Sequence, residues 1–175
     1  MFLLKFACTV LLSLSFALSA HGAALTTRNA SPAEQARYLQ LHNTLRAQYK
    51  APNLIWNDTL ATYAQNYVNK CTWAHSGGPY GENLAAGYGN GYNINAAFQS
   101  WANENSTYNY NTNNPTPSHF TQVVWASTQQ LGCAAATCNL AIFNGALDLY
   151  IVCEYYPAGN VIGYFGSNVL RPGSS

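Results

Sequence analysis

Charge is what this chain has least of. Among 175 residues there are seven Lys or Arg and six Asp or Glu, a net charge of +1 with histidine neutral. A chain so balanced presents no basic stripe to hold nucleic acid and no cationic patch for an anionic membrane. Its surface has to be carried by Asn, Gln, Ser, Thr, Gly and Tyr. Long apolar runs are scarce as well. The one run, Phe6 to Ala20, lies near the start, and no later segment is long and apolar enough to span a bilayer, which excludes stable membrane insertion of the rest. No internal repeat is present, and no G-x-S-x-G elbow. Ser76 and Ser118 merely adjoin histidines in sequence, which supplies no nucleophile–base geometry.

The early apolar run carries its own message. Lys5 followed by Phe6–Ala20 has the layout of a signal peptide over residues 1–20, with small residues offering cleavage between 19 and 24. The expectation is a secreted, extracellular protein. Removal of the leader leaves about 150 residues, enough for a single domain over residues 30–172 with a real core. Of the five cysteines, Cys8 departs with the leader, and Cys71, Cys133, Cys138 and Cys153 remain. An even count in a secreted chain implies two disulfides, for which the residues alone allow three connectivities, and leaves no free thiolate. Asn29-Ala30-Ser31, Asn57-Asp58-Thr59 and Asn105-Ser106-Thr107 are sequons for N-glycosylation, the first weakened by Pro32.

Ser31-Pro32-Ala33-Glu34 reads as a capping box with proline at the first helical position. The helix it opens places Tyr38, Leu41 and Leu45 on one face and runs to about Tyr49. Leu60, Ala64, Tyr67, Val68 and Cys71 predict a second helix from about Asp58 to Cys71. Ile94, Ala97, Phe98 and Trp101 predict a third, with Glu104 near the Trp101 face. A long Asn/Thr/Pro/Tyr-rich loop follows from Asn103 to Ser118. Leu131–Cys138 and Leu147–Tyr156 read as strands, with Asn144-Gly145 as a turn signal between them.

Three short stretches stand out from this frame: Pro79-Tyr80-Gly81-Glu82-Asn83-Leu84-Ala85, His119-Phe120-Thr121-Gln122-Val123-Val124-Trp125 and Cys153-Glu154-Tyr155-Tyr156-Pro157-Ala158-Gly159-Asn160. A fourth is His42-Asn43-Thr44-Leu45-Arg46. In this order and spacing they resemble the signatures of the CAP superfamily, the cysteine-rich secretory, antigen 5 and pathogenesis-related 1 proteins, over roughly Pro32 to Phe165. The resemblance implies an α+β fold, a three-layer α-β-α sandwich stabilised by disulfides. It also suggests the pairing Cys71–Cys133 and Cys138–Cys153. Plant relatives carry a further cysteine just before the histidine of the H-F-T-Q-type motif; Ser118 stands there, so a looser loop is expected.

The resemblance carries over a cleft tetrad of His75, Glu82, Glu104 and His119, which would converge only in the tertiary structure. Two imidazoles with carboxylates suit a divalent metal, zinc or magnesium, or a His–Glu hydrogen-bond network without one. His42 reads instead as a core hydrogen-bonding residue, and Asn83 as a tie from its side chain to a loop backbone. Fungal members bind sterols through a loop that resembles the Gly87–Tyr92 stretch, and some members bind fatty acids between helices. Tyr80, Leu84, Tyr88 and Tyr92 are the corresponding lipid-loop candidates. The expected function is non-catalytic binding and export of sterol or related hydrophobic ligands, with no metal needed for it and no catalytic residue assigned. The alternatives are a metal-dependent hydrolase at the tetrad and a defence or virulence protein that contacts a host or cell-surface partner.

Overall fold

The computed structural model of the chain describes residues 29–112 and 115–173. The expected signal peptide and its cleavage site lie outside the described residues. Helix α1, Pro32–Gln48, begins at the expected capping box: Ser31 Oγ accepts from the Glu34 amide, and the Glu34 carboxylate accepts from the Ser31 amide at 2.7 Å. Its buried face is Tyr38, His42, Leu45 and Arg46, so two of the four inward groups are polar. Strand β1, Ile55–Trp56, follows, then α2, Asp58–Val68, capped by Asn57, whose Oδ1 accepts from the Thr59 and Leu60 amides. The second helix stops three residues short of the expected Cys71, which takes a left-handed conformation at φ 48°.

Strand β2, Gly81–Gly87, was not legible as a strand, because it has glycine at both ends and no β-branched residue. Helix α3 spans Ile94–Ala102, a 3₁₀ turn covers Asn103–Thr107, and α4, His119–Val123, is a five-residue helix. Strands β3, Gln130–Cys138, and β4, Asp148–Tyr156, match the expected pair. Between them a 3₁₀ turn at Ala141–Phe143 precedes Asn144 and Gly145, both at positive φ, so the connection is longer than a two-residue hairpin. Leu147 falls in this connection and is exposed rather than aligned with Leu149 in the strand. Helix α5, Phe165–Asn168, closes the described chain.

The sheet order is β1-β3-β4-β2, with β1 parallel to β3 and the other pairs antiparallel. Strand β4 is buried on both sides. Ile151, Cys153 and Tyr155 meet Leu45, Phe98, Trp101 and Phe120 on one face, whereas Tyr150 and Val152 meet Ala64, Tyr67 and Val68 of α2 on the other. The result is the α-β-α sandwich. Gly132 sets the closeness of α2, since a Cβ there would lie 2.2 Å from the Ala61 nitrogen.

The disulfides correct the expected pairing. Cys71 joins Cys138 and Cys133 joins Cys153. The β3–β4 register is the reason: it places Cys133 directly opposite Cys153, with Cα atoms 4.1 Å apart, and leaves Cys138 at the strand end beside the chain leaving α2.

Candidate functional site

Successive residues of β2 point to opposite faces. Leu84 and Ala86 join the α2 side of the core, and Glu82 projects with them. Asn83 points to the other side, where its amide donates to the His119 carbonyl at 3.1 Å and to Tyr155 Oη at 3.2 Å. The expected tie from Asn83 to a loop backbone is therefore a tie to α4. Tyr155 Oη in turn donates to His42 Nε2 at 2.9 Å, while His42 Nδ1 donates to the Tyr38 carbonyl at 2.8 Å. His42 is thus a core hydrogen-bonding residue. Burial holds its imidazole down at about 4, because no solvent is there to stabilise a charge.

The four tetrad residues come together as two His–Glu pairs. His75 Nδ1 lies 2.7 Å from Glu82 Oε1, which also accepts from the Ser76 amide at 2.9 Å. His119 Nδ1 lies 2.6 Å from Glu104 Oε1, and Glu104 Oε2 accepts from the Phe120 amide at 3.1 Å. Trp101, whose indole donates to the Leu84 carbonyl, stacks on the His119 ring at 6.2 Å. Ser118, at the missing-cysteine position, caps α4 by accepting from the Thr121 amide, and its carbonyl accepts from Asn160 Nδ2 at 3.0 Å.

The signature stretches mostly hold one another. Thr121 Oγ1 donates to Asn160 Oδ1 at 2.6 Å, Gln122 Oε1 accepts from the Gly159 amide at 2.9 Å, and a Cβ on Gly159 would strike the Gln122 amide nitrogen at 2.7 Å. Arg46 lies fully buried and donates to the carbonyls of Pro52, Val123, Trp125 and Thr128. Burial lowers its guanidinium to about 10.

Of the lipid-loop candidates, Leu84 is a core residue of β2. Tyr80 is half-buried between the rings of Tyr63 and Tyr156, and the Tyr92 ring lies against Gly87. Tyr88 is 61% exposed and meets Phe143 edge-on at 5.1 Å. Ile142 (48% exposed) and Leu147 (70%) stand on the β3–β4 connection that bears Phe143. A separate groove of about 480 Å³ runs between α1 and α3, lined by Leu41, Leu45, Phe98 and Ala102 and by polar side chains that include Arg37. Glu154 is the residue that sequence reasoning passed over. It stands in β4 opposite Glu82, and its one signal was an acid, among only six, in the buried middle of a largely apolar strand.

Residues 39–155 match the cysteine-rich secretory protein family, CAP. The chain belongs to the CAP family. Its curated relatives include Protein PRY2 of Saccharomyces cerevisiae, 48% identical over 138 residues, covering 74% of this chain and 39% of the relative. Secreted protein RBT4 of Candida albicans is 42% identical over 150 residues, 77% of this chain and 40% of the relative. Pathogenesis-related protein 1C of Nicotiana tabacum is 43% identical over 138 residues, 74% of this chain and 78% of the relative. The chain thus spans about two fifths of the length of the first two. Among solved CAP-fold structures, hookworm platelet inhibitor superposes with a TM-score of 0.66 at 21% identity, covering 84% of this chain and 80% of its own. A structure of NaASP2 with Zn2+ gives 0.63 at 22%, covering 84% and 90%. At those identities the likeness is one of fold.

Among the described residues no three His, Cys, Asp or Glu side chains gather as a group able to hold a metal ion. One oxygen of Glu82 and both of Glu104 are occupied by histidine and backbone N–H donors. What the pairs do offer is two imidazoles oriented through Nδ1.

Proposed function

We propose that this CAP protein is secreted and binds a sterol or a related small hydrophobic molecule at the end of the sheet where Tyr88 is exposed. The observation that carries the reading is the edge-on contact of exposed Tyr88 with Phe143, made between two loops that the β2–β4 register brings to the same end of the sheet, with Ile142 and Leu147 exposed on the loop that bears Phe143. Exposed apolar side chains gathered in one place mark binding surfaces more than singly scattered ones do. Gly89 and Gly91, both at positive φ, let the loop that bears Tyr88 turn sharply. Burying about 400 Å² of ligand at about 25 cal/mol per Å² yields roughly 10 kcal/mol gross. Association costs several kcal/mol of that, which leaves micromolar affinity. Secretion is supported by the N-terminal leader, the two disulfides and a relative whose name describes it as secreted.

Titration of the purified protein with a fluorescent sterol, beside a Tyr88→Ala/Leu147→Ser variant and a chelator-treated sample, tests the reading. Saturable binding that survives chelation and drops at least tenfold in the variant is expected. Absence of saturable binding by the native protein would overturn it.

The α1–α3 groove favours a second reading, an acyl chain. Its volume suits a small ligand, and Leu41, Leu45, Phe98 and Ala102 share its lining with polar side chains, among them Arg37, whose guanidinium also donates to Asn95 and Gln40. Leu41→Trp, which fills the groove, is expected to abolish displacement of a fluorescent fatty acid while leaving sterol binding unchanged.

A further inference from the structure

Glu154 occupies a place where a carboxylate has nothing it needs. The β2–β4 register sets it directly opposite Glu82, so both side chains project from the α2 face of the sheet. Glu154 has no exposed surface, and the Glu82 side chain keeps 6%. One oxygen of Glu82, Oε1, is satisfied by His75 Nδ1 and the Ser76 amide. The other, together with both oxygens of Glu154, is buried and receives no donor from any other group.

The nearby donors are spent elsewhere. Tyr67 Oη, from α2, donates to the Ala74 carbonyl at 2.6 Å, and Tyr150 Oη, from β4 itself, donates to the Thr72 carbonyl at 3.0 Å. Among the described residues no arginine or lysine pairs with either acid; the ion-pair partner of Glu82 is His75. Two facing anions with three orphaned oxygens would repel each other and lose their solvation together. Among the described residues, His75, Glu82 and Glu154 form no group able to hold a metal ion. One proton relieves the pair. It gives Glu154 a hydroxyl to donate and Glu82 a donor to accept.

We propose that Glu154 is a neutral carboxylic acid that donates its hydroxyl to Glu82, and that this shared proton completes the Glu82–His75 site. The proton remains on Glu154, no covalent bond changes, and the pair carries one negative charge, matched to the Nδ1–H of His75. Burial first, and the Glu82 charge second, push the Glu154 carboxyl up to about 9, in keeping with this assignment.

Glu154 is then a positioning residue. By occupying the inner oxygen of Glu82 it aims the outer one at the loop of residues 72–76, which Tyr67 and Tyr150 pin from beneath. His75 is held as the Nδ1–H tautomer, with Nε2 left as an acceptor on an exposed ring.

Infrared spectroscopy of the full protein at neutral pH, with glutamate ¹³C-labelled, tests the assignment. One protonated-carboxyl band is expected in the wild type and none in Glu154→Gln. The glutamine still offers an N–H to Glu82, so ¹⁵N shifts of His75 should report the same Nδ1–H tautomer. In Glu154→Leu that donor is gone, and the tautomer signature should be lost while His119, paired with Glu104, keeps its own. A wild type with no protonated carboxyl overturns the proposal, as does a Zn2+ titration that binds saturably and removes the band. Should the leucine variant fail to fold, the wild type and the glutamine variant decide the matter.

Discussion

His42 shows how far one buried group governs pH behaviour. Its ring is satisfied only when neutral, with Nδ1 donating to the Tyr38 carbonyl and Nε2 accepting from Tyr155. Its folded-state value of about 4 lies below the ordinary 6.5. The unfolded chain therefore takes up a proton that the folded one refuses. Its contribution is complete above pH 6.5 and is lost as pH falls from there toward 4. The span of about 2.5 units corresponds to about 3 kcal/mol. Urea denaturation at a series of pH values should show that loss in the wild type, and His42→Gln should flatten this part of the profile. Arg46, four residues on, is buried and donates to four carbonyls, whose dipoles stabilise its charge. The H-N-x-x-R pattern thus marks two core polar anchors on α1 rather than a reactive pair.

At the scale of elements, the helices announce themselves and the irregular pieces do not. The capping box at Ser31 and the apolar spacing of α1 and α3 are local signals, and the structure follows them to within a residue or two. Strand β2 and the five-residue α4 carry no such signal. One is an edge strand rich in small residues; the other is set by Ser118 capping and by contacts with Asn83 and Asn160 from distant parts of the chain. Packing of α2 on the sheet depends on Gly132, where backbone meets backbone. Gly132→Ala is expected to cost about 3 kcal/mol, read as a lowered urea midpoint with unchanged slope, because Leu60 and Ala61 must retreat along with the whole helix. A change below about 0.5 kcal/mol would show that the helix shifts freely.

For the whole molecule the disulfides divide the work unequally. Cys71–Cys138 closes a separation of 67 residues and ties the exit of α2 to the sheet, whereas Cys133–Cys153 closes 20 and staples two adjacent strands. Chain entropy assigns about 4 kcal/mol to the longer loop and about 3 to the shorter. Non-reducing peptide mapping should recover these two links, and the Cys71→Ser/Cys138→Ser variant should be the less stable of the two double mutants. The signature stretches also belong to this scale. Gln122, Thr121, Gly159 and Asn160 are spent largely on binding each other, so a motif search finds the sandwich through the contacts that close it. Function has to be sought where the fold leaves groups unspent: the Tyr88 cluster, the α1–α3 groove and the two imidazoles.

The sequence by itself determined the family, the number and order of the main helices, the late strand pair, the need for two disulfides and the four candidate tetrad residues. Each of these rests on local spacing, capping chemistry or motif identity, which a linear chain displays in full. Tertiary structure alone decided which cysteines pair, since strand register sets which Cα atoms come within bonding reach. It also decided that the tetrad is two pairs, that Leu84 faces the core while Tyr88 does not, and that Glu154 meets Glu82. Those outcomes depend on which residues face each other across a sheet. A one-residue change of register would turn Glu154 to the opposite face, and nothing in its neighbours along the chain records which face that is.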